Sequence, residues 1–239
     1  GLTRMHANPG STEVPLLAHL PAPFELVLGL HEGTVVGVAT GEALATGRPA
    51  LVLLHTTAGL GNAVGALATA RANRAPLVVL VGQQDRRHLE SEPFLAGRLE
   101  GLAGDYPVSV RTPSRAADLP ALLARAVHEA VLHHGPVLVV VPMDDWGAPA
   151  DTTIELPAPT AFVASAGADP AVVADLASRL DASASPVLVT GSTADEPAVW
   201  DALARLADVL DCPVWQEAHA ARAAFDHTSP RFAGHLPAA

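Results

Sequence analysis

Residues 49–82 read "PALVLLHTTAGLGNAVGALATARANRAPLVVLVG", and this stretch decides the fold. Apolar runs of strand length occupy 49–55 and 75–82, and the segment between them carries a helical pattern at 60–73. Nearly continuous apolar runs are typical of parallel strands that are buried on both faces of a sheet. The stretch therefore predicts a strand, a crossover helix and a second, parallel strand.

The same alternation extends along residues 1–146. Two further apolar runs of strand length are "FELVLGL" at 24–30 and "PVLVVVP" at 136–142. Helical patterns lie at 32–46 and 117–133, and in the second of these the apolar residues recur three and four positions apart, as in an amphipathic helix. We therefore expect an α/β domain at 1–146 with a doubly wound parallel sheet and right-handed crossovers.

The rest of the chain is interpreted as a linker followed by part of a second α/β domain. Residues 147–163 are rich in Pro, Asp and Thr without a helical period, which predicts a linker, and the acids of "DDW" at 144–146 are expected to cap its start. The elements predicted within 164–239 are a helix at 169–181, a strand at 186–191, a helix at 195–210 and a strand at 212–216. So few β-α repeats do not provide enough helices to cover both faces of a sheet. Because the chain also begins without Met and runs directly into a loop motif, we expect a fragment.

Composition and charge exclude several classes of function. All 14 basic residues are arginine, which removes lysine Schiff-base chemistry and the P-loop lysine. A formal charge of −11 leaves no basic stripe for nucleic-acid phosphates, and no apolar stretch approaches the roughly 18 residues that predict a membrane span. The single cysteine, Cys212, cannot form an internal disulfide, and no Cys/His spacing resembles a zinc site. We predict no metal site in this chain and a cytoplasmic location.

Polar side chains lie where parallel sheets bind ligands, beyond the carboxyl ends of predicted strands or, for Ser11, after the Asn8-Pro9-Gly10 turn. The candidates are Ser11, Glu32, His55, Gln83 and Gln84. Each also has a structural explanation, because a serine after a turn can cap a helix and a glutamate is favoured in a first helical turn. The histidine can equally be a core residue with its hydrogen bonds satisfied, and the glutamines can be loop residues. Individually none identifies a function, although together they can converge on one crevice.

Three glycines lie at the start of the helix that follows the strand at 49–55. Gly59, Gly61 and Gly65 have the context of a dinucleotide-binding fingerprint, in which glycines allow the backbone to approach a pyrophosphate. Their spacing, G-x-G-x-x-x-G, is one residue too long. The alternative explanation is close packing of the helix and the approach of a second subunit.

Taken in series, the motifs resemble those of a known family. "NPGSTEVPLL", "LGLHEGTVVGVATGEALATGRPALVLLHTTAGLGNAVGALATA", "PLVVLVGQQ" and "GPVLVVVPMDDW" occur in this order at natural spacings. They closely resemble the pyrimidine-binding domain of thiamine-diphosphate-dependent decarboxylases, in particular the benzoylformate decarboxylase branch. The resemblance covers residues 5–146 strongly and extends more loosely into the second domain. It implies thiamine diphosphate as the cofactor and a 2-oxo acid as the substrate.

The resemblance also implies a role for the candidate catalytic residues. In the family, a glutamate hydrogen-bonds the aminopyrimidine ring and favours its imino tautomer, and Glu32 matches that position. Ser11 is expected to contact the substrate carboxylate, and His55 is expected to move protons during the reaction. The loop of Ser11 is thus expected to hold a carboxylate, and it can also cap a helix.

Further residues are implied at the cofactor and the substrate. The expected cofactor-binding residues are Pro9, Glu32, Asn62 and Gln84, with Asn62 and Gln84 near the pyrimidine ring or a dimer contact. The expected substrate-pocket residues are Gly10, Ser11, Phe94 and Leu95. In this family the active site lies between subunits, so a homodimer or homotetramer is expected, joined through the helices after Glu32 and His55.

Two departures from the family pattern stand out. The segment "FDHTSPRFAG" carries Ser229 where the decarboxylase has a second histidine, and His227 lies two residues earlier. The "GDG…NN" motif that binds the diphosphate through Mg²⁺ does not occur in this sequence, so a domain outside it is expected to bind the metal ion.

These departures leave three alternatives open. The chain can belong to an acetolactate-synthase-like carboligase, or it can be one half of a two-component enzyme. From another class of function, it can be a non-catalytic module that binds a dinucleotide through Gly59, Gly61 and Gly65.

Overall fold

The structure, a computed structural model, describes residues 2–149, 167–219 and 222–238. The chain divides into two compact units, residues 1–160 and 161–239. The linker predicted at 147–163 lies mostly outside the described residues.

The first unit contains a six-stranded sheet in which every pair of neighbouring strands is parallel. Its strands are β1 (Arg4–Asn8), β2 (Glu25–Leu28), β3 (Ala50–Leu54), β4 (Leu77–Gln83), β5 (Ser109–Arg111) and β6 (Pro136–Pro142). They lie in the order β2-β1-β3-β4-β6-β5. The prediction of an α/β fold with a parallel sheet is confirmed.

Helices cover both faces of this sheet. They are α1 (Val14–Leu17), α2 (Glu32–Thr46), α3 (Thr56–Ala72), α4 (Arg86–Leu89), α5 (Leu119–His133) and α6 (Met143–Trp146). On one face, Val79 and Leu54 pack in a buried cluster with residues of α2 and α3. On the other face, Val78 and Leu53 pack with Ala126 of α5. Because successive strand residues point to opposite faces and both faces are buried, the central strands must be apolar throughout.

Strand β1 corrects an expectation from the sequence. Residues 1–10 were expected to run directly into a loop, but Arg4–Asn8 form a strand between β2 and β3. Met5 is buried on the α5 side of the sheet, whereas the ring of His6 lies 2.7 Å (Nε2 to Oε2) from Glu42 of α2. Polar residues that are buried by pairing with a helix conceal the apolar pattern of a strand, which explains why β1 was missed.

The sheet has its topological switch point at β1 and β3. The chain passes from β1 to β2 on one side, whereas β3 lies on the other side of β1. Connections that leave in opposite directions open a crevice beyond the carboxyl ends of the two strands, where ligands bind in such folds. The strands pair with Asn8 opposite Leu54, so the residues that follow, Pro9 and His55, enter this crevice together.

Helix α3 starts earlier than the predicted residue 60. It begins at Thr56, directly after His55, so Gly59, Gly61 and Gly65 all lie inside the helix. Amide groups inside a helix are bonded to carbonyl groups four residues back and cannot form the phosphate-binding turn of a dinucleotide fingerprint. The dinucleotide interpretation is therefore wrong. A Cβ on Gly59 would lie 3.2 Å from the Leu54 carbonyl carbon, so this glycine instead allows α3 to pack closely on β3.

The second unit contains a smaller parallel sheet. Its strands are β7 (Leu188–Thr190), β8 (Val214–Gln216) and β9 (Phe232–His235), and its helices are α7 (Pro170–Asp181) and α8 (Pro197–Leu210). The strand order is β7-β8-β9. All four elements predicted for this unit are present, but β9 was not predicted. It contains Gly234 at φ +120° beside a register shift at Val214 and Trp215, and such an irregular strand has no clean alternation.

The short edge strand β5, also missed from the sequence, is joined to α5 by one carboxylate. Glu129 accepts hydrogen bonds from Ser109 Oγ (2.6 Å), Arg111 Nη2 (2.6 Å) and Arg125 Nε (2.8 Å). Burial opposes ionisation of Glu129, but these donors outweigh it and lower its pKa to about 2. Glu129 therefore stabilises the folded chain as a carboxylate.

Replacing Glu129 with Gln tests this link. Because the folded-state pKa is lowered, the stabilisation is fully present above the unfolded-state pKa and is lost as the pH falls towards 2. We expect Glu129→Gln to lower the free energy of unfolding at pH 7 by about 1–3 kcal/mol and to flatten its decline below about pH 5. Urea unfolding followed by circular dichroism from pH 7 to 3 measures both effects. The exposed Glu90→Gln serves as the control. Parallel pH curves for Glu129→Gln and the parent would contradict the assignment.

Candidate functional site

The candidate site begins where Gly10 meets His55 at the switch point. A Cβ on Gly10 would lie 2.5 Å from both Cγ and Nδ1 of the His55 ring. No real side chain tolerates such a contact, so only glycine allows the imidazole to lie against the loop that follows β1. The close approach follows from the pairing of β1 with β3.

A buried carboxylate lies beside this ring. Glu13 is completely buried, and its Oε2 accepts a hydrogen bond from the Gly10 N–H (2.7 Å) and lies 3.0 Å from His55 Nδ1. The Thr12 hydroxyl donates to Glu13 Oε1, and its oxygen lies 3.1 Å from His55 Nδ1. Glu13 and Thr12 were not selected from the sequence. An acid three residues after a turn is a common helix-capping pattern, which conceals any further role.

Ser11 is the first residue of a single 3₁₀ turn, Ser11–Glu13, and its side chain is exposed. The residue at the N-cap of this turn is Gly10, and the Gly10 N–H is bonded by Glu13. The expectation that Ser11 can also cap a helix is therefore wrong. Its hydroxyl is left exposed at the mouth of the crevice.

Glu32 lies at the start of α2, as expected from the helix predicted at 32–46. The helix is capped by His31, whose Nδ1 accepts from the Gly33 N–H (3.1 Å). Glu32 itself is only 8% exposed, and its Oε2 accepts a hydrogen bond from Asn62 Nδ2 (3.0 Å). Asn62 lies on α3, seven residues after His55, so this one helix contributes to both halves of the candidate site.

Gln83 and Gln84 hold the segment that contains the predicted pocket residues. Gln83 Nε2 donates to the Gly97 carbonyl (2.6 Å), and the Gly97 N–H donates back to Gln83 Oε1 (3.1 Å). Gln84 Nε2 donates to the Phe94 carbonyl (2.8 Å). Phe94 is 88% exposed, and Leu95 is held at φ +71°. Gln84, predicted at the cofactor or a dimer contact, thus fixes the backbone beside Phe94 in this structure.

The start of α3 is strained next to His55. Thr56 has φ +36°, which is uncommon for a β-branched residue, and its buried hydroxyl has no hydrogen-bond partner among the described residues. Strain of this kind costs on the order of 1–3 kcal/mol and tends to occur at functional sites. The strained backbone of Thr56 therefore lies next to His55, just beyond the carboxyl end of β3.

Among the described residues, the acids of "DDW" bond to Arg86, and the linker that they were expected to cap lies mostly outside those residues. The buried Asp145 accepts a 2.8 Å hydrogen bond from Arg86 Nη2, while Asp144 accepts from Arg86 Nη1 (3.1 Å). The same guanidinium donates to the Pro113 carbonyl (2.8 Å), and its bonds to Asp145 raise the pKa of Arg86. This ion pair fixes the carboxyl ends of β4 and β6 beside the crevice.

Residues 225–234 of the second unit, which depart from the family pattern, form hydrogen bonds of their own. Ser229 Oγ accepts from the Arg231 N–H (3.2 Å) in a turn before β9. His227 Nε2 donates to Gln216 Oε1 (2.8 Å), and its ring stacks on Phe232 with centroids 4.3 Å apart. Both residues that were considered for the second histidine position are thus engaged within the second unit.

The described part of the chain shows neither the side-chain cluster of a metal site nor a helix that spans a membrane. No group of three or more His, Cys, Asp or Glu side chains in the described ranges is arranged to hold a metal ion. Within the same part of the chain, no helix is both long and apolar enough to cross a membrane.

Comparison with known proteins points to one family. Residues 1–102 match the family described as "Thiamine pyrophosphate enzyme, N-terminal TPP binding domain". Benzoylformate decarboxylase from Pseudomonas aeruginosa is 41% identical over 244 residues, which cover 100% of this chain and 46% of that protein. An acetolactate synthase large subunit from Corynebacterium glutamicum is 31% identical over 151 residues, covering 60% of this chain and 23% of that subunit.

A solved structure agrees with this assignment. The thiamine diphosphate-dependent 4-hydroxybenzoylformate decarboxylase of Rhodococcus jostii RHA1 superposes with a TM-score of 0.89 at 37% identity, covering 99% of this chain and 45% of that one. The chain spans about half the length of the decarboxylases that it matches.

Replacing Gln83 with Met tests how the 92–97 segment is held. Methionine preserves the length of the side chain but removes both hydrogen bonds to Gly97. At roughly 0.5–1.5 kcal/mol for each bond, we expect amide hydrogen exchange in peptides covering 90–100 to become about 5- to 100-fold faster. Mass spectrometry measures this, with peptides from β3 as the internal control. Unchanged exchange at 90–100 would mean that other contacts hold the segment.

Proposed function

We propose that this chain, which belongs to the thiamine pyrophosphate enzymes through their N-terminal TPP-binding domain, is part of a thiamine-diphosphate-dependent decarboxylase of a 2-oxo acid. The observation that carries the proposal is the buried carboxylate of Glu32, held by Asn62 at the start of α2. The whole-chain similarity to benzoylformate decarboxylases supports it.

The residues around Glu32 fit one edge of an aminopyrimidine ring. Asn62 bonds only one of the two carboxyl oxygens, and in the described part of the chain the other oxygen has no hydrogen bond. A carboxyl oxygen in this state can bond a ring nitrogen and share its proton. When bound, thiamine diphosphate would supply a nucleophilic thiazolium carbon and an acceptor for the electron pair that the departing carbon dioxide leaves behind.

The remaining residues of the crevice bind the substrate and move a proton. The exposed Ser11 hydroxyl is placed to donate to the substrate carboxylate. His55 has Nδ1 bonded to Glu13, so Nε2 is the nitrogen left to exchange a proton with the reacting group. Phe94, which is 88% exposed in this chain, and Leu95 are the apolar side chains proposed to contact the substrate.

Other parts of the complete protein are needed for this activity. We place the Mg²⁺ ion and the diphosphate in a domain outside this chain. We also propose a homodimer or homotetramer in which a second copy packs on α2 and α3, because the outer faces of these helices carry Gly37, Gly41, Gly61 and Gly65 with open space around them. A cytoplasmic location is consistent with the single buried thiol of Cys212.

An acetolactate-synthase-like carboligase is the second candidate. The similarity to acetolactate synthase and the absence of a histidine at position 229 favour it. The two candidates differ in product, since a decarboxylase releases an aldehyde whereas a carboligase joins the decarboxylated fragment to a second carbonyl compound.

Glu32→Gln in the complete protein tests the proposed function. Glutamine keeps the size of the side chain but cannot share a carboxyl proton, so we expect turnover to fall by about 10²–10⁴-fold. The assay supplies thiamine diphosphate, Mg²⁺ and a panel of benzoylformate, 4-hydroxybenzoylformate and pyruvate, and it separates aldehyde from carboligation products. Glu90→Gln is the control. A Glu32→Gln variant as active as the parent would refute the role of Glu32, and acetolactate as the main product would favour the second candidate.

A charge on the outer face of α2 tests the proposed subunit contact. Val38 is 49% exposed on α2, and Val131 is 47% exposed on α5 at the opposite face of the sheet, so the two offer a matched pair. We expect Val38→Asp to raise the dissociation constant of the oligomer by at least about 100-fold, because an unpaired carboxylate would be buried at the contact. Val131→Asp should leave it unchanged. Analytical ultracentrifugation of the complete protein measures both, and equal effects of the two variants would place the contact elsewhere.

A further inference from the structure

We infer that Glu13, assisted by Thr12 and Gly82, is the positioning group that fixes the tautomer and orientation of His55. This inference rests on the proposed function, because it assigns to His55 Nε2 the exchange of a proton with the substrate. Glu13 itself is completely buried and bonds the far side of the ring, at Nδ1, so it acts through His55.

With Glu13 as a carboxylate, its hydrogen bonds set which ring nitrogen of His55 carries the proton. Glu13 Oε2 accepts from the Gly10 N–H and faces His55 Nδ1, and Oε1 accepts from the Thr12 hydroxyl. An ionised carboxylate can only accept, so Nδ1 must donate. In the neutral imidazole, Nε2 then carries the lone pair. The ring is thereby presented as a base at the nitrogen that does not face Glu13.

Gly82 provides the space for this carboxylate. A Cβ on Gly82 of β4 would lie 2.7 Å from both Glu13 Cδ and Thr12 Oγ1, and it would overlap Oε1. Any side chain at position 82 would therefore displace the carboxylate from Nδ1. Gly10 has the corresponding effect on the other partner, because the His55 ring lies against its Cα. Two glycines, one in the loop after β1 and one in β4, thus hold the Glu13–His55 pair in one geometry.

Thr12 makes the arrangement sensitive to the charge of residue 13. Its hydroxyl hydrogen points to Glu13 Oε1, which leaves its oxygen lone pairs directed at His55 Nδ1–H. A glutamine at position 13 would place an amide N–H₂ group against one of the groups that donate to the Glu13 carboxylate. The Thr12 hydroxyl could then accept from that amide and donate its own hydrogen to Nδ1. This exchange moves the ring proton to Nε2, the wrong tautomer for a base at that position.

The tautomer of His55 is measured directly by long-range ¹H–¹⁵N NMR on this chain with ¹⁵N-labelled histidine, at a pH at which the ¹⁵N shifts themselves show a neutral ring. We expect the Nδ1–H form in the parent and a shift of most of the population to Nε2–H in Glu13→Gln. His55→Gln assigns the signals. The matched control is Glu42→Gln, which removes the carboxylate bonded to His6 Nε2 and should leave the His55 signals unchanged.

Two further variants keep the test decisive. Glu13→Asp retains an acceptor and should keep more of the Nδ1–H form than Glu13→Gln does. If Glu13→Gln fails to fold by circular dichroism, Gly82→Ala takes its place, since it displaces the carboxylate without removing it. A parent in the Nε2–H form, or no change of tautomer in a folded Glu13→Gln, overturns the inference.

Kinetics of the complete enzyme separate this inference from the proposed function. With thiamine diphosphate and Mg²⁺ present, we expect Glu13→Gln to lower kcat by about 10²-fold or more while KM changes less than about threefold. If Glu32→Gln is inactive and Glu13→Gln has the kcat of the parent, the inference fails and the proposed function stands. If Glu32→Gln is fully active, the proposed function fails, and the NMR result alone then decides whether Glu13 positions His55.

Discussion

The parallel pairing of β1 with β3 is the constraint on which the candidate site depends. It places Asn8 opposite Leu54, so the chain turns at Gly10 beside the ring of His55. These neighbouring strands connect to opposite sides of the sheet, which opens the crevice at this point. Polar residues meet at this edge of the first unit because the strand order brings them together, and not only because the residues are polar.

Two buried glutamates at this edge are held in contrasting ways. Glu13 is surrounded by donors from Gly10, Thr12 and His55, so both of its oxygens are occupied and it cannot bond a ligand. Glu32 is bonded by Asn62 at one oxygen only. Among the described residues the second oxygen of Glu32 has no hydrogen bond, so it is available to a ligand atom. The difference supports the proposed roles of Glu13 as a positioning residue and Glu32 as a binding residue.

The sequence predicted strands that are continuously apolar and missed strands whose apolar run is interrupted by polar residues or glycine. β4 and β6 are recognisable because both faces of the sheet are covered and every residue of these strands must be apolar. β1 was missed because His6 is buried through Glu42, and β9 was missed because Gly234 and a register shift interrupt it. The glycines of α3 were ambiguous until the structure placed the start of the helix at Thr56.

For the site, the sequence alone determined the α/β class, placed Glu32 and His55 after predicted strands and placed Ser11 after a turn, because strand ends, turns and helix starts are local properties of the chain. It could not select Glu13, Gly82 or the Arg86–Asp145 pair. Their roles arise from contacts between residues 42 or more positions apart, in the examples of Glu13 with His55 and Arg86 with Asp145. Only the order and register of the strands bring such residues together, and those are properties of the tertiary structure.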